Sequence, residues 1–482
     1  MSVRGMGSSA ARRRIAAVCC AFLCAACGIS SVHGQSANPS SAANPYFGSV
    51  TLKPATDEVI QLSLDEAIRR GLENNLGLQE AQNAEKTIRG EQLQALQEFL
   101  PTITLTGDVG YYQHDLAALG FKGSNLPPNL AVHFPAVTHD TLTEGQIHYD
   151  QILFSGPVIA GWKAAGAATR AAHFARMSAR GEVIQQVATA YLHAIASASE
   201  VDNARALELA DLVQLNHAHE QRVAGVATNL DEVRARVQYQ SQRQSTIAAQ
   251  NQLDKDMILL KREIGLDPGQ KITLTDRAPF SELAEQTPEE VRAVAYKSRQ
   301  DYQNLQNQVQ ELKAVHSAYR SQRYPTLSFS GNYGVQAVTT VGSHGVFTAV
   351  GTVSVPIFRE ARIRGDIDAS QAQLNAANSQ LDDLRSRIDQ QVRSALLDVS
   401  AARKLVDVSR SNVDLSTRAL SDQTERTNAG IDDTLPLVTA QAALANAQTS
   451  LVESVFQYNV AKLALARAAG ILEQQYRSYL GK

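Results

Sequence analysis

The sequence predicts an α+β membrane protein in which long antiparallel helical hairpins are joined to short β-hairpins. Two stretches of roughly 60 residues contain no proline and have the composition of continuous helices. Four short stretches alternate residue by residue between apolar and small polar side chains, as strands with two different faces do. The same order of elements occurs twice, which indicates an internal tandem repeat.

The N-terminal residues 1–34 have the pattern of a secretory signal peptide. A basic stretch that includes residues 12–14 precedes the apolar residues 15–27, which are too few to span a bilayer as a stable helix. Two processing sites are compatible with this pattern. We favour cleavage before Gln35, while the sequence "CAAC" that ends at Cys27 resembles a lipoprotein box and makes Cys27 a candidate for lipidation. All four cysteines lie in this leader, so the exported chain would use no disulfide.

Composition and motifs exclude several classes of function. The formal net charge of −3 argues against a nucleic-acid partner. The chain contains no H-E-x-x-H, G-x-S-x-G or G-x-x-x-x-G-K-[ST] motif, and we expect neither an enzyme nor a metal or other cofactor. His217 and His219 are two residues apart and would face apart on a helix, so we expect solvated histidines there. Past the leader no run of 18 apolar residues occurs, and membrane insertion would have to use strands.

The repeat is visible in the spacing of equivalent residues. Pro101 and Pro325 each precede an alternating stretch and are 224 residues apart, whereas Phe154 and Phe358 are 204 apart. We assign the 20 extra residues of the first unit to a longer loop at residues 113–144. The predicted organisation is a signal peptide 1–34, a linker 35–61, a first repeat 62–286 with β-hairpin 101–154 and helical hairpin 161–265, a second repeat 287–472 with β-hairpin 325–358 and helical hairpin 361–470, and a C-terminal tail 473–482.

The alternating stretches predict strands with one apolar and one polar face. Strands of about 10 residues with these faces fit a transmembrane barrel with a wet lumen, although a half-buried strand of a soluble sandwich alternates in the same way. The prolines at positions 101 and 325 mark the junctions where helix ends and strand begins, because proline biases the preceding residue to extended geometry. The apolar face is assigned to Ile103, Leu105, Val109, Tyr111, Leu327, Phe329, Tyr333, Val335, Phe347, Ala349, Val353 and Val355.

Four strands per chain are too few to close a barrel. Open strand edges are not tolerated in lipid because their N–H and C=O groups would stay unpaired. Several chains must therefore contribute their hairpins to one barrel.

The long helices carry a thin apolar seam with a period of seven, which is typical of coiled-coil packing. A helix of roughly 60 residues would be about 90 Å long at 1.5 Å per residue. The seam comprises Ile367, Leu374, Leu381, Ile388, Val392, Val399, Val406, Val413 and Leu420 in the outgoing helix of the second unit, and Leu437, Leu444, Leu451, Tyr458 and Leu465 in the returning helix.

With these elements in order, the sequence resembles TolC-like outer-membrane efflux proteins, or outer membrane factors, from about residue 62 to residue 472. The phrases that carry the resemblance include "LSLDEAIRRGLENNLGLQEA", "FLPTITLTG", "AGVATNLDEVRARVQ", "RYPTLSFSGNYG" and "AGIDDTLPLVTAQAALANAQ". Each phrase is weak alone, and their duplicated order is specific.

The resemblance implies a homotrimer with a transmembrane β-barrel of twelve strands, four per chain, in outer-membrane lipid. It also implies an α-helical coiled-coil barrel that forms a tunnel in the periplasm. The implied partners are a periplasmic adaptor (membrane fusion) protein and an inner-membrane pump of RND or ABC type. The chain would then be the passive exit duct of a tripartite efflux or type I secretion system. Substrate and pump type stay open.

The resemblance also assigns two helix-to-helix turns as adaptor-docking tips. Alanine stands where the family has valine in these turns, and glycine suits them because it adopts positive φ without steric cost. An arginine before each tip would pair with the adaptor or cap the carbonyls at the helix end. The tips comprise Arg222, Ala224, Gly225 and Val226 in the first unit, and Arg426, Ala429, Gly430 and Ile431 in the second.

The acidic gate of the family is not reproduced. Pro436 and Thr439 stand where the family has its pair of aspartates after the second tip. Asp231, Asp432 and Asp433 are candidates to line the tunnel entrance instead and to give a weak cation preference. The alternative, that they are helix-start charges or solvated turn residues, is the simpler one.

A periplasmic coiled-coil adaptor or scaffold protein of an export complex is the alternative function. An adaptor would have one helical hairpin flanked by soluble β-domains. The duplicated hairpin with its alternating strands favours the duct.

Overall fold

The computed structural model describes residues 44–50, 54–116, 118, 136–276, 280–338, 342–429 and 434–480. The predicted signal peptide, Cys27 and most of the predicted linker lie outside the described residues.

The described elements alternate between helices and strands in two similar series. A short 3-10 helix at Pro45–Phe47 comes first. The first series is β1 (Ile60–Leu62), α1 (Leu64–Asn74), α2 (Leu76–Gln97), β2 (Thr102–Asp115), β3 (Val137–Phe154), α3 (Gly156–Val223) and α4 (Asn229–Ile264). The second series is β4 (Ile272–Leu274), α5 (Pro288–Ser298), α6 (Gln300–Ser321), β5 (Thr326–Val338), β6 (Gly342–Ser354), α7 (Glu360–Asn428), α8 (Thr434–Ala468) and α9 (Leu472–Leu480).

The helical segment before each β-hairpin is two helices, so the prediction of one continuous helix was wrong there. The chain is extended at Asn75 and at Arg299, with ψ of 131° and 121°. Asn75 serves both helices: its N–H donates to the Gly71 carbonyl (2.9 Å), and its side-chain oxygen accepts from Leu78 N–H (3.3 Å). One residue therefore ends α1 and starts α2.

Two helices dominate the molecule. The α3 helix has 68 residues and the α7 helix 69, which corresponds to about 100 Å each at 1.5 Å per residue. They begin at Gly156 and Glu360, five residues and one residue before the predicted starts. Among the described residues, no helix combines the length and the apolar composition needed to cross a membrane.

The predicted seam packs the two helices of the second hairpin together. In α7, Leu381, Ile388, Val392 and Val406 are buried, and Val399 is partly buried. The returning helix α8 buries Leu437, Leu444, Tyr458 and Leu465. Ile367, Val413 and Leu420, nearer the ends of α7, keep intermediate exposure in the single chain. The period of seven therefore identifies the contact face correctly, and its burial is deepest in the middle.

The four long strands form one antiparallel sheet in the order β2-β3-β5-β6. Strands β2 and β6 are its edges. The predicted loop at residues 113–144 was too long, because β2 continues to Asp115 and β3 already begins at Val137. Residues 60–61 of the predicted linker belong to β1, which pairs in parallel with β4.

The main apolar core lies where the two series meet. It surrounds the middle of α3 and the last turns of α4 and α8, and Tyr191 donates its hydroxyl to the Leu62 carbonyl there (2.8 Å). The C-terminal segment, predicted only as a tail, contains most of helix α9, whose Tyr479 and Leu480 are buried. Arg180 of α3 pairs with Glu473 of α9 at 2.6 Å.

Glu263, in the last turn of α4, is fully buried at the edge of this core. Gln186 Nε2 donates to its Oε1 at 3.2 Å, and the other carboxylate oxygen, Oε2, has no hydrogen-bond partner in the chain. Burial raises the pKa of Glu263 to about 8, because an apolar surrounding disfavours the charged form. The side chain is therefore mainly neutral at pH 7.

We expect Glu263→Gln to stabilise the protein at pH 8 relative to wild type and to change little at pH 5. A raised carboxyl pKa contributes stability that is complete below the unfolded value and is lost as pH rises through the folded value. Between about pH 4.5 and 8 the wild type should lose on the order of 1.4 kcal/mol per pH unit relative to the amide, which does not titrate.

Thermal unfolding midpoints in detergent at several pH values measure this difference. Glu98→Gln, which changes an exposed glutamate in the same way, is the control. A midpoint difference between Glu263→Gln and wild type that does not vary with pH would show that Glu263 is ionised in the folded protein.

Candidate functional site

The first predicted tip is a tight turn between α3 and α4. Gly225 has a φ of 76°, in the left-handed region that glycine adopts most easily. Ala224 N–H donates to the Glu220 carbonyl (2.9 Å) and Gly225 N–H to the Arg222 carbonyl (3.0 Å), which closes the end of α3. A Cβ at Gly225 would meet nothing within 4 Å, so the backbone conformation, and not lack of space, favours glycine.

A buried carboxylate of α4 collects the cationic side chains at this turn. Glu232 pairs with Arg222, with His219 Nδ1 at 3.2 Å and with Arg236 at 2.9 Å. The hydrogen bond from His219 and the charge of Arg222 lower the pKa of Glu232. Arg222 thus binds across the turn within its own chain, and His219 is not merely a solvated histidine.

Asp231 completes a capping box at the start of α4. Its carboxylate accepts from Thr228 N–H at 3.0 Å and from Thr228 Oγ1 at 2.6 Å, and its own N–H donates to Thr228 Oγ1 at 3.3 Å. The helix-start role that the sequence left open is therefore present. Its role at a tunnel entrance stays a prediction.

The turn presents apolar side chains to its surroundings. Val226 is 76% exposed, and Val223, Leu230 and Val233 are also exposed. We call Val223, Val226, Leu230 and Val233 the tip surface. Such clustered exposed side chains at one end of a molecule are typical of a contact surface.

The second predicted tip is described only in part. Arg426 lies in the last turn of α7, and Ala429 N–H donates to the Glu425 carbonyl at 2.9 Å. Gly430, Ile431, Asp432 and Asp433 lie outside the described residues. Pro436 and Thr439 belong to α8.

Pro101 and Pro325 lie between helix and strand, each one residue before the strand that follows. Thr102 begins β2 and Thr326 begins β5, four residues after α2 and α6 have ended. These junctions connect the sheet to the helical part of the molecule.

The register of the sheet gathers the predicted apolar residues on one face. Tyr333 lies opposite Ile147 on one side and Phe347 on the other, and Ile103 lies opposite Tyr149. Odd-numbered residues of all four strands therefore share a face up to the bulge at Ile152/Phe154. Much of this face is exposed, and its most exposed members are Ile103, Leu105, Val109, Tyr111, Tyr333, Phe347 and Val353.

The opposite face is polar and hydrogen-bonded across strands. Gln336 Nε2 donates to Glu144 Oε1 at 2.6 Å, and Asn332 Nδ2 donates to Gln146 Oε1 at 2.6 Å. Asp108 lies directly opposite Glu144 in the register.

All charged residues on this polar face are acidic. They are Asp108, Asp140, Glu144 and Asp150. The described strands β2, β3, β5 and β6 contain neither lysine nor arginine. Such a face attracts cations and repels anions.

The family model described as "Outer membrane efflux protein" matches residues 67–266 and 291–471. The chain belongs to the outer membrane efflux protein family. This match confirms the resemblance to TolC-like outer membrane factors that the sequence suggested.

Individual relatives agree with this assignment. Outer membrane efflux protein BepC of Brucella suis biovar 1 (strain 1330) is 30% identical over 118 residues, which are 24% of this chain and 26% of BepC. The match thus spans about a quarter of that relative. A membrane protein from Pseudomonas aeruginosa has a TM-score of 0.73 at 18% identity, covering 92% of this chain and 100% of that one.

The CmeC outer membrane channel of Campylobacter jejuni has a TM-score of 0.70 at 14% identity, covering 93% of this chain and 97% of that one. At such identities the likeness to the two solved structures shows a shared fold. Within the described part of the chain, no group of three or more His, Cys, Asp or Glu side chains could hold a metal ion.

We expect Glu232→Gln to loosen the α3–α4 turn. The neutral amide would leave Arg222 and Arg236 without their shared counter-charge, so amide hydrogen exchange in residues 219–236 should become severalfold faster. Hydrogen exchange with mass spectrometry measures this directly.

Glu220→Gln changes an exposed glutamate two residues before Arg222 and is the matched control. Equal exchange in the two variants would show that the buried carboxylate does not hold the turn.

Proposed function

We propose that the protein is the passive exit duct of an efflux or secretion system, crossing the periplasm and the outer membrane as a homotrimer. The observation that carries this proposal is the sheet with two different faces. One face exposes apolar side chains suited to lipid, and the other is polar and suited to a wet lumen. Helices of about 100 Å continue from the same sheet and could extend far into the periplasm.

The free edges of the sheet support assembly. Strands β2 and β6 each have one side without a partner strand within the chain. In lipid these backbone groups need partners, and another copy of the sheet supplies them. The number of three copies, and hence of twelve strands, comes from the resemblance to the family.

Several spacings support the proposed tandem repeat. The helix breaks at Asn75 and Arg299 are 224 residues apart, as are Pro101 and Pro325. The family model also matches in two separate segments, one in each proposed repeat.

We further propose that the tip surface docks a periplasmic adaptor, which in turn joins an inner-membrane pump of RND or ABC type. The exposed valines at the first tip suit an apolar contact with a protein partner. Arg222 would support the turn through Glu232, whereas Gly430 and Ile431 would serve the second tip. Asp231, Asp432 and Asp433 remain candidates for the tunnel entrance.

Dye accumulation in a bacterium that lacks its own efflux channel tests the duct and its docking together. Wild-type protein, expressed with its cognate adaptor and pump, should lower the accumulation of a fluorescent pump substrate. Val226→Asp should abolish this effect, because a charge in an apolar contact is costly, while the amount of protein in the outer membrane stays unchanged.

Val237→Asp is the matched control. Val237 is 64% exposed and lies on α4, two turns beyond Leu230 and away from the turn between the helices. If both variants lower dye accumulation as well as wild type does, the tip surface is not the docking site. If wild-type protein has no effect on accumulation, the duct itself is contradicted.

The polar face predicts a cation-preferring pore. We expect Asp108→Asn combined with Glu144→Gln to reduce the cation-to-anion permeability ratio severalfold, because these carboxylates lie side by side on the face assigned to the lumen. Reversal potentials of reconstituted channels in a KCl gradient measure the ratio.

Asp115→Asn is the control, because Asp115 belongs to the opposite set of alternating residues in β2. An unchanged ratio in the double variant would contradict the assignment of the polar face to the lumen.

A further inference from the structure

The two β-hairpins end differently, although they are otherwise alike. Strand β3 runs to Phe154, which pairs with Leu327 of β5 after a bulge. Strand β6 stops at Ser354, and residues 355–358 have no strand partner in the chain. With the spacing of 204 residues between equivalent positions, Phe358 corresponds to Phe154.

The side chains in this unpaired segment are unusually exposed. Ile357 is 95% exposed and Phe358 97%, the highest values among the exposed large apolar residues that the structure describes. Their counterparts Leu153 and Phe154 are 53% and 48% exposed. The neighbouring strand β5 lies beside β3, whereas no strand lies on the outer side of β6. The segment after β6 therefore lacks the strand that its counterpart has.

We propose that residues 352–358 pair with the free edge of β2 in a second copy of the chain, in the register that places Ser354 opposite Thr106. This inference rests on the proposed trimer and on the proposed tandem repeat. It adds which residues meet at the junction, and that residues 355–358 become strand only in the assembly.

The register follows from the contact that the chain already makes. Within the chain, Asp150 of β3 lies opposite Ser330 of β5. The counterpart of Asp150 is Ser354, 204 residues later, and the counterpart of Ser330 is Thr106, 224 residues earlier. The same operation on the pair His148–Asn332 places Thr352 opposite Asp108.

This register keeps the two faces of the sheet continuous across the junction. Ser354 and Thr106 both belong to the polar set of alternating residues, so polar side chains meet polar side chains. After the bulge, Phe358 lies opposite Ile103, as Phe154 lies opposite Leu327 within the chain. A slip of one residue would place polar residues against apolar ones along the whole edge.

A glycine at the free edge supports the same register. A Cβ at Gly334 would lie 2.1 Å from the Gly145 carbonyl oxygen of β3, so the close approach of the two strands requires glycine there. The counterpart of Gly334 in β2 is also a glycine, Gly110. In the proposed register Gly110 lies opposite Val350 of the second copy, where an equally close approach is expected.

Cysteine cross-linking tests the register. All four native cysteines lie within residues 1–34, so a chain carrying a cysteine-free signal peptide in their place is a clean background. Two pairs are predicted to face each other: Ser354→Cys with Thr106→Cys, and Thr352→Cys with Asp108→Cys. Directly opposed residues have Cβ atoms about 5 Å apart, within reach of a disulfide.

The same four cysteines in exchanged combinations are the controls. Ser354→Cys with Asp108→Cys, and Thr352→Cys with Thr106→Cys, are each out of register by two residues, a diagonal separation that is about 7–8 Å and too long for a disulfide. Outer membranes are oxidised with copper phenanthroline and analysed on non-reducing gels. The predicted pairs should give multi-chain bands at least severalfold stronger than the exchanged pairs.

The outcomes separate this inference from the proposed function. Multi-chain assemblies in which the exchanged pairs cross-link as well as or better than the predicted pairs would overturn the register and leave the trimeric duct standing. A chain that stays monomeric in the outer membrane and forms no intermolecular disulfide would overturn both.

Discussion

The structure depends on one constraint: a strand in lipid needs hydrogen-bonding partners on both of its sides. The chain builds one four-stranded antiparallel sheet, in which only β3 and β5 have partners on both sides. The edges β2 and β6 keep rows of backbone donors and acceptors that lipid cannot satisfy. Assembly of several copies removes both edges together, so closure of the sheet and formation of a pore become the same event.

The same constraint explains why the two faces of the sheet differ so strongly. Once the edges are joined, one face must contact lipid and the other must line the lumen. The register gathers the apolar odd-numbered residues on one side and the hydrogen-bonded set around Glu144, Gln146 and Asn332 on the other. Helices α3 and α7 begin within six residues of the ends of β3 and β6. The lumen of the sheet would therefore be continuous with the space between the long helices.

The sequence predicts features that depend on local pattern. Alternation identified both faces of the strands, and the period of seven identified the buried seam residues Ile388 and Val392 of α7. The positive φ of Gly225 was expected because a turn between antiparallel helices favours a left-handed residue. Each of these features is encoded within a window of a few residues.

Features that depend on contacts distant in sequence were missed. The pairing of β1 with β4 joins residues about 212 positions apart, and three-residue strands have too little pattern to be recognised. The helix break at Arg299 contains neither glycine nor proline, so no local signal marked it. The role of Glu232 needs two helices folded against each other, although a glutamate facing His219 and Arg222 across a turn is a pattern that could have been sought.

The mass of the native particle tests the central claim most directly. Protein extracted from outer membranes in mild detergent can be weighed by native mass spectrometry, and the mass of the same sample after denaturation gives that of one chain. A closed duct predicts a native mass three times that of one chain. A particle of one chain that nevertheless conducts ions in a planar bilayer would contradict the claim that the pore needs several copies.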